Sequence, residues 1–121
     1  MGVVHHANYL RFFEEARVRW LEEHDRPYTY YLEQGLHFAV TRAEIDYRHG
    51  ARFDDRLEIT VWLERVQGAS LRMAYAIGCG ATHVAAGATE HAALGDDGRV
   101  RRIPRSDRAR LLALAVETAG S

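Results

Sequence analysis

The order of hydrophobic patterns in this sequence predicts an α+β domain in which a curved antiparallel sheet wraps one central helix. Two observations carry that prediction. One long amphipathic helix opens the chain, and its apolar stripe is broad enough to need a sheet or another subunit over it. A run of extended stretches separated by short turns follows. The 121 residues suffice for one core and are too few for two ordinary domains, so residues 1–121 read as a single domain.

The helix is expected from Asn8 to about His24. Asn8 is the expected cap, because a short side-chain oxygen there accepts from first-turn N–H groups that lack a partner inside the helix. Tyr9, Phe12, Phe13, Ala16, Trp20 and Leu21 recur every three or four residues and draw the stripe. Glu14 and Glu15 stand at helical pairing distance from Arg17 to Arg19. Exposed pairs of that kind stabilise by only about 0.2–0.5 kcal/mol each, so burial of the stripe must do most of the stabilising. Pro27 suits the first turn of a short second helix, Tyr28 to Gln34, ended by Gly35. Its tyrosines, Tyr28, Tyr30 and Tyr31, read most simply as amphipathic rings packed at a surface, and they are also candidates for the wall of a pocket.

Phe38 to Arg48 reads as extended. Phe38 and Val40 lie on one side and Ala43, Ile45 and Tyr47 on the other, which predicts a bulge near Thr41. Arg56 to Val66 is the clearest strand, with Leu57, Ile59, Val61 and Leu63 on one face. Gln67 and Gly68 turn it into Ser70–Cys79, where Leu71, Met73, Tyr75 and Ile77 alternate, so the two make a hairpin. His83 to Leu94 is a further strand, rich in alanine and glycine, whose small residues would let a helix lie close. A turn at Gly95–Gly98 leads to a short extended piece, Arg99 to Ile103, halted by Pro104. Ser106 is the expected cap of a terminal helix that docks through Leu111, Leu112 and Leu114.

Composition excludes several functions. The formal net charge of −1 argues against nucleic-acid binding through a general positive field. All 16 basic residues are arginine, so no Schiff-base lysine and no P-loop lysine exists. Cys79 is alone, no integral membrane segment is legible, and a cytoplasmic protein is expected. His5 and His6 are adjacent, which is not the spacing of a helical zinc site, so no metal site is expected. His91 reads as structural, and Cys79, between two glycines, lacks a nucleophile signature.

The stretch Gly2-Val3-Val4-His5-His6-Ala7-Asn8-Tyr9-Leu10-Arg11-Phe12-Phe13-Glu14-Glu15-Ala16-Arg17 resembles the signature of the hotdog-fold acyl-CoA thioesterases of the 4-hydroxybenzoyl-CoA thioesterase type, most closely the YbgC branch. Tyr47 to Ile59 is similar to a second family stretch, with Gly50 in place of a proline. Thr89 to Pro104 follows the family's T-x-H, D-x-x-G-R and R-I-P landmarks, so the similarity covers nearly the whole chain. In the family an aspartate three residues before the motif glycine acts as base or nucleophile. Here that position falls upstream of Met1, together with the family's first strand, which would lie at the sheet edge beside Arg56–Val66. The expectation is a truncated or mis-started sequence, since an uncovered alternating edge strand invites association.

The resemblance implies thioester hydrolysis, with coenzyme A as part of the substrate and no separate cofactor. The backbone N–H at His6 would polarise the thioester carbonyl, and the His6 imidazole would be the catalytic side chain, orienting an acid or water. Gly2, Val3, Val4, His5, Asn8 and Tyr9 would line the substrate site. Arg99, Arg101, Arg102 and Arg105 would meet the phosphates of coenzyme A at the pocket mouth, although a solvated turn is the slightly plainer reading of them. Glu14 is the rival for acid or base; an ion pair with Arg17 is its plainer role. A homodimer or homotetramer is expected. The alternatives are a silent acyl-CoA or acyl-carrier-protein binding module and, third, a hotdog dehydratase, for which no motif is present.

Overall fold

The computed structural model describes residues 6–48 and 56–119, with side chains placed for 9–48 and 56–115. The element order is α1 (His6–His24), α2 (Tyr28–Glu33), β1 (His37–Tyr47), β2 (Glu58–Val66), β3 (Ser70–Cys79), β4 (Thr82–Leu94) and α3 (Arg105–Ala119). The strands form one antiparallel sheet in the order β1-β4-β3-β2. The helix-then-sheet architecture expected from the sequence is therefore present, with α1 laid along one face.

The stripe of α1 is its buried side: Tyr9, Phe13 and Trp20 are within the core, with Phe12, Ala16 and Leu21 packed against it. Phe13 stacks on Tyr75 of β3, ring centroids 4.2 Å apart and planes 13° from parallel. The reason the helix can come so close is Gly87 of β4. A Cβ there would sit 2.6 Å from the Phe13 ring and 2.6 Å from the Glu44 carbonyl oxygen, closer than atoms can pack. The small-residue strand thus accepts the helix, as its composition predicts.

In β1 the register shifts between Val40 and Arg42, so Thr41 is the extra residue of the predicted bulge, and its hydroxyl donates to the Glu90 carbonyl at 3.2 Å. Phe38 and Ile45, which a regular strand would put on opposite faces, both pack against the core. A second irregularity, between Leu63 and Arg65 of β2, carries no signal in the sequence pattern. Arg99 to Ile103 makes a single bridge, Leu94 to Val100, together with hydrogen bonds from Arg101 N to Ala93 O and Ile103 N to Gly68 O. α3 packs against β2, the edge strand beside which the resemblance expects a further strand.

Both predicted caps are corrected. α1 begins at His6, two residues before Asn8, and α3 begins at Arg105, one before Ser106. Asn8 and Ser106 therefore lie inside first turns, where helical geometry has already begun. In α3 the buried Asp107 takes the polar role expected of Ser106: it is an acid in the first turn, accepting from Tyr30 Oη at 2.9 Å and lying 3.0 Å from Arg110 Nη2.

Those contacts belong to a clasp that ties the end of α1 to α2 and α3. Arg110 Nε donates to Asp25 Oδ1 at 2.6 Å and its Nη2 to Tyr31 Oη at 3.1 Å, while Tyr31 also donates to Asp25 Oδ2. The side chains of Asp25 and Asp107 are 0% and 1% exposed. Burial, then the hydrogen bond to Asp25, pushes the Tyr31 phenol well above its ordinary range. Partial burial opposes the charge of Arg110, but its bonds to Asp25, Tyr31 and Asp107 outweigh that and raise its affinity for the proton.

Candidate functional site

The N-terminus of α1 is the first candidate. The helix is 19 residues long and has no acidic residue in its first turn, so its unpaired N–H groups and the positive end of its dipole are not offset by carboxylates of that turn. Such an end stabilises negative charge developing on a carbonyl oxygen. His6 is the first helical residue. Gly2, Val3, Val4 and His5 lie outside the described residues, as do the side chains of His6 and Asn8. Tyr9 is 1% exposed, its ring edge-on to Phe12 and to Tyr47 of β1, with centroids 6.1 and 5.2 Å away. It braces the helix start on the sheet.

The arginines do not gather at that start. Val100 pairs with Leu94 and Arg101 N with Ala93 O, at the end of β4 opposite Ala85, which pairs with Tyr47. Arg102 and Arg105 share an open cleft beside Gly68 with Arg108, which sequence reading passed over. Arg101 Nη1 is occupied by the Gln34 carbonyl at 2.8 Å, and Arg99 is exposed beyond the Gly98 turn. Within one chain, then, Arg102 and Arg105 come together and Arg99 and Arg101 stand apart from their cleft.

Glu14 does not pair with Arg17. It is exposed at the rim of a partly open cavity of about 250 Å³, while Arg17 turns inward and points Nη1 at Tyr75 Oη, 3.5 Å away. The cavity lies beneath the second half of α1, between the sheet, α2 and α3. Its walls include Trp20, Tyr28, Tyr31, Phe38, Met73 and Leu111. Two of the three tyrosines proposed as a pocket wall thus serve as one, and all three hydroxyls are bonded: Tyr28 Oη accepts from Phe38 N at 3.0 Å.

Below the cavity runs a buried polar chain. Tyr75 Oη is 2.7 Å from Thr89 Oγ1, which is 2.8 Å from His91 Nε2. His91 is 1% exposed, lines the cavity, and its Nδ1 has no hydrogen-bond partner. Burial, and secondarily the Arg17 charge, lowers its pKa to about 4, so the ring is neutral near pH 7. The sequence signal for this chain is the T-x-H spacing in β4, which puts Thr89 and His91 on one strand face. Among the described residues no group of three or more His, Cys, Asp or Glu side chains can hold a metal ion, and no helix is long and apolar enough to cross a membrane.

Comparison with known proteins defines the class. The sequence pattern of the thioesterase superfamily matches residues 1–86, and this chain belongs to that family. It is 31% identical over 104 residues to a candidate esterase of Aquifex aeolicus, covering 86% of this chain and 80% of the relative. It is 36% identical over 70 residues to the acyl-CoA thioester hydrolase YbgC of Escherichia coli, covering 58% of this chain and about half, 52%, of that protein. Among solved structures, a Thermus thermophilus thioesterase complexed with coenzyme A and zinc superposes with a TM-score of 0.78 at 30% identity, covering 95% of this chain and 83% of that one. The fold is the hotdog fold expected from the resemblance.

Proposed function

We propose that this chain hydrolyses acyl-CoA thioesters, releasing a free acid and coenzyme A. The observation that carries the reading is the α1 N-terminus: a 19-residue helix, with no acid in its first turn, starting at the histidine of the matched motif. Its N–H at His6 polarises the thioester carbonyl, and as the tetrahedral intermediate forms the developing oxyanion gains more from the dipole than the carbonyl did. The His6 imidazole orients water or relays a proton, with Gly2, Val3, Val4, His5, Asn8 and Tyr9 around the acyl end. Glu14 fits this chemistry poorly, since eight residues of helix carry it about 12 Å along the axis from His6. Coenzyme A enters as part of the substrate, and no further cofactor is needed.

Arg102 and Arg105, with Arg108 beside them, suit phosphate groups through their bidentate forks. Because their cleft is at the far end of β4 from the helix start, the reading joins them to a thioester on another copy, in a homodimer or homotetramer. β1 supports that assembly: among the described strands it lies at the sheet edge beside β4, with Val40 and Tyr47 half exposed. Light scattering at micromolar concentration is expected to give at least a dimer mass. The lone Cys79, which can form no disulfide within the chain, suits a cytoplasmic enzyme.

The test is a steady-state assay with several acyl-CoAs on three proteins: this chain, a version extended upstream through an aspartate two residues before Met1, and His6→Ala in the extended version. General acid–base catalysis contributes typically about 10²–10⁴-fold, so the extended chain should be faster by roughly 10²-fold or more, and His6→Ala should lower its rate with the fold intact. Equal rates for the short and extended chains would move the chemistry to another residue. Binding of acyl-CoA without turnover in both would favour a silent binding module.

A further inference from the structure

The buried chain beneath α1 has a direction. An arginine only donates, so Arg17, with Nη1 3.5 Å from Tyr75 Oη, orients the oxygen lone pair of Tyr75 toward itself. The single Tyr75 hydroxyl proton then goes to Thr89 Oγ1, 2.7 Å away, and the Thr89 proton goes to His91 Nε2 at 2.8 Å. The reverse order would leave the Tyr75 proton with no acceptor, buried. With Nε2 accepting and the ring neutral, the imidazole proton sits on Nδ1. That atom is the one without a partner, and it belongs to a ring that lines the cavity. A buried donor left unpaired is destabilising, so the end of the chain calls for an acceptor.

The cavity constrains what carries that acceptor. Its walls are mainly aromatic and aliphatic, Trp20, Phe38, Met73 and Leu111 among them, and its volume is about 250 Å³. An apolar cavity of about 150 Å³ holds benzene, so this one holds about ten non-hydrogen atoms. Arg17 places a positive charge at its wall, and Glu14 stands at the solvent-exposed rim. The stacked pair of Phe13 and Tyr75, buried to 0% and 1%, lies between this cavity and the Tyr9 end of α1. The space is therefore separate from the thioester position at the helix start.

We infer that this cavity is a second ligand site, for a free monocarboxylic acid of about ten non-hydrogen atoms, whose carboxylate accepts from His91 Nδ1–H with Arg17 alongside and whose apolar body fills the space under Trp20. It stands whether or not the chain hydrolyses thioesters.

The probes are octanoate and butylbenzene, equal in size, of which only octanoate carries an acceptor. In protein labelled with ¹⁵N-histidine, His91 is expected as the Nδ1–H tautomer, and octanoate is expected to shift the Nδ1 resonance and saturate at one per chain. Butylbenzene should bind at least tenfold more weakly by calorimetry. Leu111→Phe, which fills the cavity, should abolish the octanoate shift, and His91→Leu should reduce octanoate affinity to that of butylbenzene. A proton on Nε2, an Nδ1 signal unmoved by millimolar octanoate, or equal affinity for the two probes in the unaltered protein would each overturn the assignment, with no variant required to fold.

Discussion

The clasp around Arg110 and the chain around Thr89 both place tyrosine hydroxyls beside an arginine, yet one is closed and the other open. In the clasp every strong group finds its opposite: two buried carboxylates, Asp25 and Asp107, surround one guanidinium, and Tyr30 and Tyr31 donate to them. In the chain, bonds pass one way from Arg17 to His91 and stop at an unpaired nitrogen. A closed network fixes helices in place, and an open one facing a cavity has one interaction still to make. Buried polar groups are costly in either case, and the difference lies in where the cost is met.

The closed cluster depends on Arg110. Arg110→Ala leaves Asp25 and Asp107 buried without their cation, and removal of one partner from such a cluster costs about 3–5 kcal/mol, read as a lower urea midpoint. The open chain is probed by acid. His91 titrates near 6.5 when unfolded and at about 4 when folded, so protonation favours unfolding. Its contribution is complete above about pH 6.5 and is lost as pH falls toward 4, by about 3 kcal/mol at 1.36 kcal/mol per pKa unit. Urea titrations of the unaltered protein and His91→Gln across that window should diverge by this amount.

A smaller effect is expected from Gly87→Ala. The added methyl meets the Phe13 ring and the Glu44 carbonyl, and overpacking of this kind costs about 1–3 kcal/mol. It should lift α1 and lengthen the Arg17 to Tyr75 contact while the clasp, at the other end of the helix, keeps its bonds; tyrosine hydroxyl exchange would distinguish the two. Smallest is Tyr30→Phe, which removes one of the two donors to Asp107 and should cost about 1 kcal/mol by thermal melting, with the pH response of His91 unchanged.

The sequence made the sheet and the face of α1 legible because period-two and period-3.6 patterns report directly on burial, as Phe13, Trp20 and Met73 illustrate. Even the Thr41 bulge shows, as a change of phase. The two clusters were hidden for a different reason. Asp25 and Arg110 are bonded across 85 residues of chain, and Arg17 and Tyr75 are 58 apart, so no local window contains either pair. Arg17 departs from its expected pairing because Glu14, its neighbour on the helix surface, is visible in the sequence and Tyr75, its neighbour in space, is not. The helix start itself is legible as a motif, while the expected first residue, Asn8, lies two beyond the observed one, within the ordinary uncertainty of helix ends.

Thr41 carries a consequence for how this gene can change length. Its backbone has no register partner in β4, although its hydroxyl donates to the Glu90 carbonyl, and its neighbours Val40 and Arg42 pair with the consecutive residues His91 and Glu90. The Thr41 side chain is exposed, so a substitution there gives up one hydrogen bond and little packing. Loss of the codon would also keep the pairing. With Thr41 gone, Arg42 follows Val40 directly as Glu90 precedes His91, so the six residues Arg42–Tyr47 keep their partners and Ile45 stays opposite Gly87. What a deletion here removes is the local bend of the edge strand, and the faces of β1 are unchanged.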